Sequence, residues 1–197
     1  MDDGPELVPA RVLAAREAAV RTGFDEASQD RTGALLRTLA ASKPDGYLLE
    51  LGTGTGVGTS WLLDGMNNGA RLISVDRNPQ TTALARQVVG DDPRLQLVVG
   101  DIGEWLTAYD GPHFDLVFVD TWRGKYLERG QLLDLIAPGG LYIGDDLLPH
   151  PTWAPEQPGH VETFLREIGR NDGLAATVLN WASGLVVAAK QQRPASE

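Results

Sequence analysis

From Tyr47 onward the chain alternates short apolar runs with longer stretches in which apolar residues recur every three or four positions. The runs in YLLELG, RLISVD, RLQLVVGD, FDLVFVD and GLYIGDD each predict a strand. Segments between them, such as NPQTTALARQVVG and KYLERGQLLDLIAPGG, are long enough for crossover helices, which makes these strands parallel neighbours with helices on both faces. A further helix is expected near His160 to Arg170. LAATVLNW and GLVVAAK follow as two β-like runs separated only by Ala182 and Ser183, so short a connection that they should form an antiparallel hairpin. Ahead of the first strand, amphipathic patterns over Val8 to Val20 and Thr32 to Leu39 predict two helices, and KPDG ends the second. The expected fold is α/β: a doubly wound, mostly parallel seven-stranded sheet with N-terminal helices and a C-terminal antiparallel β-hairpin. No internal repeat or domain boundary interrupts it.

Composition narrows the chemistry. The 197 residues are enough for one ordinary domain, and 42% hydrophobic content is normal for a protein with a buried core. A net charge of -10 argues against nucleic acid or an anionic membrane as partner. There is no cysteine, so thiolate chemistry is excluded and any metal must be held by oxygen or imidazole, which favours Mg²⁺, Mn²⁺ or Ca²⁺. No apolar run approaches the ~20 residues of a membrane span. The opening MDDGPE lacks the positive start of a signal peptide, so a cytoplasmic location is expected.

Candidate chemistry begins with LLELGTGTGVGTSWL, which places four glycines and three threonines between the first strand and the next helix. Such a turn lets main-chain N–H groups approach a ligand at a helix N-terminus, although tight packing alone would also select glycine. The dinucleotide pattern G-x-G-x-x-G fails in each register, with Val57, Thr59 or Trp61 at its third position, and no Gly-Lys-Ser/Thr follows for a phosphate loop. Instead an acid, Glu50, immediately precedes the glycines; it suits an ammonium group and would repel a pyrophosphate. Asp76 ends the second strand, where a carboxylate accepts hydrogen bonds from ribose hydroxyls, and Asp101 follows the third beside the expected adenine position. Three acids at one edge of a parallel sheet suit a ligand with an amine, a ribose diol and an exocyclic amino group, as in S-adenosylmethionine.

From Glu50 to Gly56, with Asp76 and Asp101, the chain resembles the class I S-adenosylmethionine-dependent methyltransferases, and its final hairpin resembles their last two strands. The resemblance covers about Tyr47 to Lys190. It implies a Rossmann-like core over 46–191, preceded by a helical segment over 1–45 and followed by a flexible tail over 192–197. It also implies cofactor contacts from Glu50, Gly52, Thr53, Gly54, Gly56, Gly58, Thr59, Asp76, Arg77, Asp101, Ile102, Asp120 and Trp122.

A second group of acids lies in FDLVFVDTWRGKY and GGLYIGDDLLPHPTW. Asp120, Asp145 and Asp146 fall at strand C-terminal ends, where open α/β sheets bind ligands, whereas Asp115 begins its strand and is expected at the surface. If the two strands are neighbours, close carboxylates want a cation or a shared proton; if they cap helices, they point apart. This half resembles the cation-dependent O-methyltransferases of the catechol and caffeoyl-CoA type, which implies Asp120, Asp145 and Asp146 as ligands of Mg²⁺ (or Mn²⁺ or Ca²⁺). In that family Asp146 is usually Asn, and Trp122 matches the aromatic residue beside cofactor and substrate.

Arg123 stands where the catechol enzymes carry a lysine base. A guanidinium remains protonated and cannot take a proton from a phenol. Metal activation of the hydroxyl, Lys125 or His150 are then the alternatives, and the candidate catalytic residues are Asp120, Arg123 and His150. Four prolines stiffen LLPHPTWAPEQPGH, in which Trp153 offers either a stacking surface for an aromatic substrate or an anchor for the loop. Ser28, Asp30 and Thr32 in SQDRTGALL either contact cofactor or substrate or cap a helix.

The implied reaction is methylation of a small hydroxylated, catechol-like molecule. Metal-free methylation of a nitrogen, carboxylate or other oxygen, a non-catalytic cofactor-binding protein, and, against the charge, a tRNA-modifying enzyme are the alternatives. The sequence leaves a homodimer open.

Overall fold

The structure, a computed structural model, describes residues 3–151 and 153–192, so the expected tail lies outside it except for Gln192. Two helices, α1 (Ala10–Thr22) and α2 (Asp30–Ala41), precede β1 (Tyr47–Leu51). Then α3 (Val57–Gly65), β2 (Arg71–Asp76), α4 (Pro79–Val89), β3 (Leu95–Val99), α5 (Ile102–Ala108) and β4 (Phe114–Val119) alternate. The chain ends with α6 (Arg129–Asp134), β5 (Ile136–Gly144), α7 (Gln157–Gly169), β6 (Leu174–Leu179) and β7 (Leu185–Lys190). The seven strands form one sheet in the order β3-β2-β1-β4-β5-β7-β6. Pairings among the first five are parallel, and β7 is antiparallel to both β5 and β6.

The apolar runs are continuous because the central strands bury both faces. Successive residues alternate between two cores: Leu49, Leu51, Val117 and Val119 pack with Leu106, Phe164 and Ile168, whereas Leu48, Leu116 and Phe118 pack with Leu36, Leu62 and Leu63. Chain order reverses between β1 and β4, the switch point at which such sheets open a crevice outside their C-terminal ends. Ladder hydrogen bonds continue one rung past the strands, from Gly52 N–H to Val75, Asp120 N–H to Leu51 and Asp145 N–H to Val119. The glycine turn and two acids are thereby fixed at the rim.

One expectation needs correction. The final connection spans 180–184 rather than two residues, because it bonds to the end of β5: the Ser183 carbonyl accepts from the Leu147 and Leu148 N–H groups at 3.0 and 2.8 Å. The crossover helix of KYLERGQLLDLIAPGG does not fill that segment and begins at Arg129. Residues 124–127 instead form a turn about Gly124 (φ 86), whose carbonyl accepts from Tyr142 Oη at 2.9 Å.

Candidate active site

The glycine turn runs between β1 and α3 with Gly52, Gly54 and Gly56 all at positive φ. Gly52 has a second reason to be glycine: a Cβ there would lie 2.6 Å from the Asp120 carbonyl oxygen, so the turn and the end of β4 touch backbone to backbone. Asp76 holds the turn from β2, its Oδ2 accepting from Gly54 N–H at 2.9 Å and its Oδ1 from Asn78 N–H at 2.8 Å. Each carboxylate oxygen keeps a lone pair for a further donor. Phe24, from the segment joining α1 to α2, sets its ring edge beside Gly54, 3.1 Å from where a Cβ there would sit.

Glu50 is placed differently from the expectation. It is fully buried beneath Gly58, with Thr59 Oγ1 and, at 2.5 Å, Ser74 Oγ donating to its Oε2, while Oε1 has no partner. Desolvation by burial pushes its carboxyl up to about 8 against the hydrogen bonds that favour its ion. Glu50 therefore ties β1 to α3 and β2 and presents no open face to an ammonium group. Thr53 is similarly turned inward, sharing a 2.6 Å hydrogen bond with Ser74.

Beyond β3, Asp101 is the N-cap of α5, accepting from Glu104 N–H at 3.0 Å, and Ile102 is buried beneath it. Arg123 is not at the acid cluster: its guanidinium reaches across to Glu128 and, at 3.4 Å, to Asp101. With Gly103, Glu104, Thr107 and Ala108 these residues line a cavity of about 560 Å³, within the size of small-molecule sites. Arg77 is exposed just past β2.

The acids of β4 and β5 do converge. Asp120 Oδ2 accepts from Ser28 Oγ at 2.9 Å. Asp145, 1% exposed, has its Oδ1 bonded by Ser183 Oγ and, at 2.7 Å, by the Asp146 N–H. Burial raises the carboxyls of both Asp120 and Asp145, the latter to about 7 with the Asp120 charge adding to the effect. Lys125, 3% exposed, donates from Nζ to the Asp145 carbonyl at 2.7 Å, and its charge opposes both shifts.

Asp146 breaks the pattern. It is at φ 60, which turns its side chain to the following loop, where Oδ2 accepts from Trp153 Nε1 at 3.3 Å. Trp153 is thus the loop's anchor. His150 is exposed in the same loop. Among the described residues, no three His, Asp or Glu side chains are grouped to hold a metal ion. Hydroxyl and amide donors occupy oxygens of Asp120 and Asp145, the Lys125 ammonium is bonded to the Asp145 main-chain carbonyl, and Asp146 accepts from the Trp153 indole N–H. The residues as arranged do not fit the divalent cation that the catechol-type resemblance implies.

Of the N-terminal candidates, Ser28 reaches the site, Thr32 approaches Ser183 at 3.4 Å, and Asp30 instead pairs with Arg16 at 2.6 Å. An aromatic group borders the acids: Trp122, 40% exposed, lies edge-on to Tyr126 and to His160 of α7, with ring centroids 5.0 Å apart in each case. Phe24, Ser183, His160 and the burial of Lys125 carried no pattern in the sequence. Only Gly124, a glycine directly before a lysine, hinted that the chain there turns sharply.

A family model described as a methyltransferase domain matches residues 49–147, which include the glycine turn and Glu50, Asp76, Asp101, Asp120, Asp145 and Asp146. The "Putative O-methyltransferase" of Mycolicibacterium vanbaalenii is 31% identical over 198 residues, 92% of this chain and 84% of its own length. Catechol O-methyltransferase B of Danio rerio is 31% identical over 143 residues, 68% of this chain and 52% of its own. A relative from Mycolicibacterium paratuberculosis is likewise matched over less than two thirds of its length, 62%. Among solved structures, the O-methyltransferase of Bacillus cereus in complex with SAH has a TM-score of 0.83 at 19% identity, covering 94% of this chain and 93% of that one. TomG of Streptomyces achromogenes, in complex with SAM, gives 0.83 at 21%, covering 94% and 92%. At these identities the structural likeness is one of fold.

Proposed function

The chain belongs to the methyltransferase family, and from that premise we propose that it is an S-adenosylmethionine-dependent O-methyltransferase of a small hydroxylated, catechol-like aromatic. The observation that carries the reading is Asp120, a carboxylate raised by burial, at the sheet's switch point and against the glycine turn. When bound, S-adenosylmethionine supplies an electrophilic methyl group on sulfur. The free lone pairs of Asp76 would hold its ribose side against the glycine turn, and the cavity lined by Asp101, Gly103 and Arg123 would take its adenine.

Asp120 would accept the proton of the acceptor hydroxyl as the oxygen attacks; the O–C bond forms while the S–C bond breaks. A carboxylate whose pKa burial raises is a stronger base than an exposed one, which suits this transfer. Trp122, Tyr126 and His160 would offer an aromatic wall for the acceptor, and Phe24 would border the cofactor at Gly54. Positioning accounts for much of the rate in such a direct displacement.

The test is transfer of labelled methyl from S-adenosylmethionine to a panel of catechols, monophenols, aryl amines and aryl carboxylates. Catechols are expected to turn over at least tenfold faster than their singly O-methylated counterparts, with the label on oxygen. Transfer to amines or carboxylates while every hydroxyl stays unmodified would overturn the reading.

A further inference from the structure

We propose that the Lys125 ammonium is the resident cation of the Asp120 and Asp145 cluster, filling the electrostatic role of a divalent ion and leaving the cluster without affinity for one. A buried lysine is rare unless its charge is answered. Its Nζ is anchored 2.7 Å from the Asp145 main-chain carbonyl, and its charge favours the ionised form of both Asp120 and Asp145.

The local backbone is built to deliver that side chain. Gly124, at φ 86, has no room for a Cβ, which would lie 2.9 Å from both Leu51 and Leu132. Its carbonyl is held by Tyr142 Oη. Through this turn Arg123 goes outward to Asp101 and Glu128, while Lys125, two residues later, goes inward. Ser28, Ser183 and the Asp146 N–H already donate to the two carboxylates, and Asp146 is committed to Trp153. A hard cation asks for six or more oxygen ligands with little competition, whereas an ammonium is a single charge that needs no such cage.

This deepens the O-methyl-transfer reading and rests on it for the acceptor alone: Lys125 is a positioning residue that keeps Asp120 available as the base. The experiment therefore reads cation binding, which is independent of turnover. Mn²⁺ is titrated into the wild-type chain saturated with S-adenosylhomocysteine, with Lys125→Met and Asp145→Asn alongside, following free Mn²⁺ by electron paramagnetic resonance. The wild type is expected to show no saturable binding, and Lys125→Met to bind Mn²⁺ at least tenfold more tightly than the wild type. Saturable wild-type binding that Asp145→Asn abolishes would overturn the proposal, as would a folded Lys125→Met with no gain in Mn²⁺ affinity. Should Lys125→Met fail to fold, the wild-type and Asp145→Asn titrations decide alone. Failure of methyl transfer in the acceptor panel leaves these readouts intact, so the two readings fail separately.

Discussion

Asp120→Asn is expected to lower methyl transfer by roughly 10²–10⁴-fold, the usual contribution of a positioned general base. The amide keeps the shape of the carboxylate, and its oxygen still accepts from Ser28, so the fold and the affinity for S-adenosylhomocysteine should change little. In the wild type the rate should fall on the acid side at a pH well above the ordinary carboxylate range, because burial raises both Asp120 and its neighbour Asp145. That limb belongs to the pair rather than to one residue. Initial rates with an acceptor from the panel, measured across pH for both proteins, check the claim. A variant as fast as the wild type would remove Asp120 from the chemistry.

The second large effect concerns stability. Glu50 is raised from 4.5 to about 8 by burial. Between those values the folded chain keeps a proton that the unfolded chain has released, so stability falls as pH rises through the window and is highest below it. Each unit of displacement is worth about 1.4 kcal/mol, which puts the whole decline at a few kcal/mol. Glu50→Gln, which cannot ionise, should lack this decline whatever its absolute stability. Thermal melts of both proteins at half-unit pH steps give the difference curve. Parallel curves would mean that folded Glu50 is ionised, as it would be if it faced an ammonium group instead of Thr59 and Ser74.

Much of the arrangement was legible in the sequence because strand ends are legible. The runs of β2, β4 and β5 each stop at or directly before an acid, and a parallel sheet brings those ends to one edge, so Asp76, Asp120 and Asp145 could be assigned to the site by topology alone. Which way a side chain turns after the strand ends is a different matter. Asp146 follows Asp145 directly, yet one positive φ sends it to Trp153. Arg123 and Lys125 part company at Gly124 for the same reason. Glu50 has the motif position of a ligand-binding acid, but the hydroxyls of Thr59 and Ser74 claim it from beneath. Ser183 was invisible because the loop holding it is shaped by bonds to Leu147 and Leu148, not by its own turn residues.

Calorimetric titration of S-adenosylhomocysteine into the wild type and into Asp76→Ala tests the central claim, that the glycine turn and the acids at its rim form the cofactor site. One-to-one binding by the wild type is expected, weakened at least tenfold, or about 1.4 kcal/mol, when the Asp76 carboxylate is removed. No saturable heat from the wild type, or equal affinity in the two proteins, would contradict it.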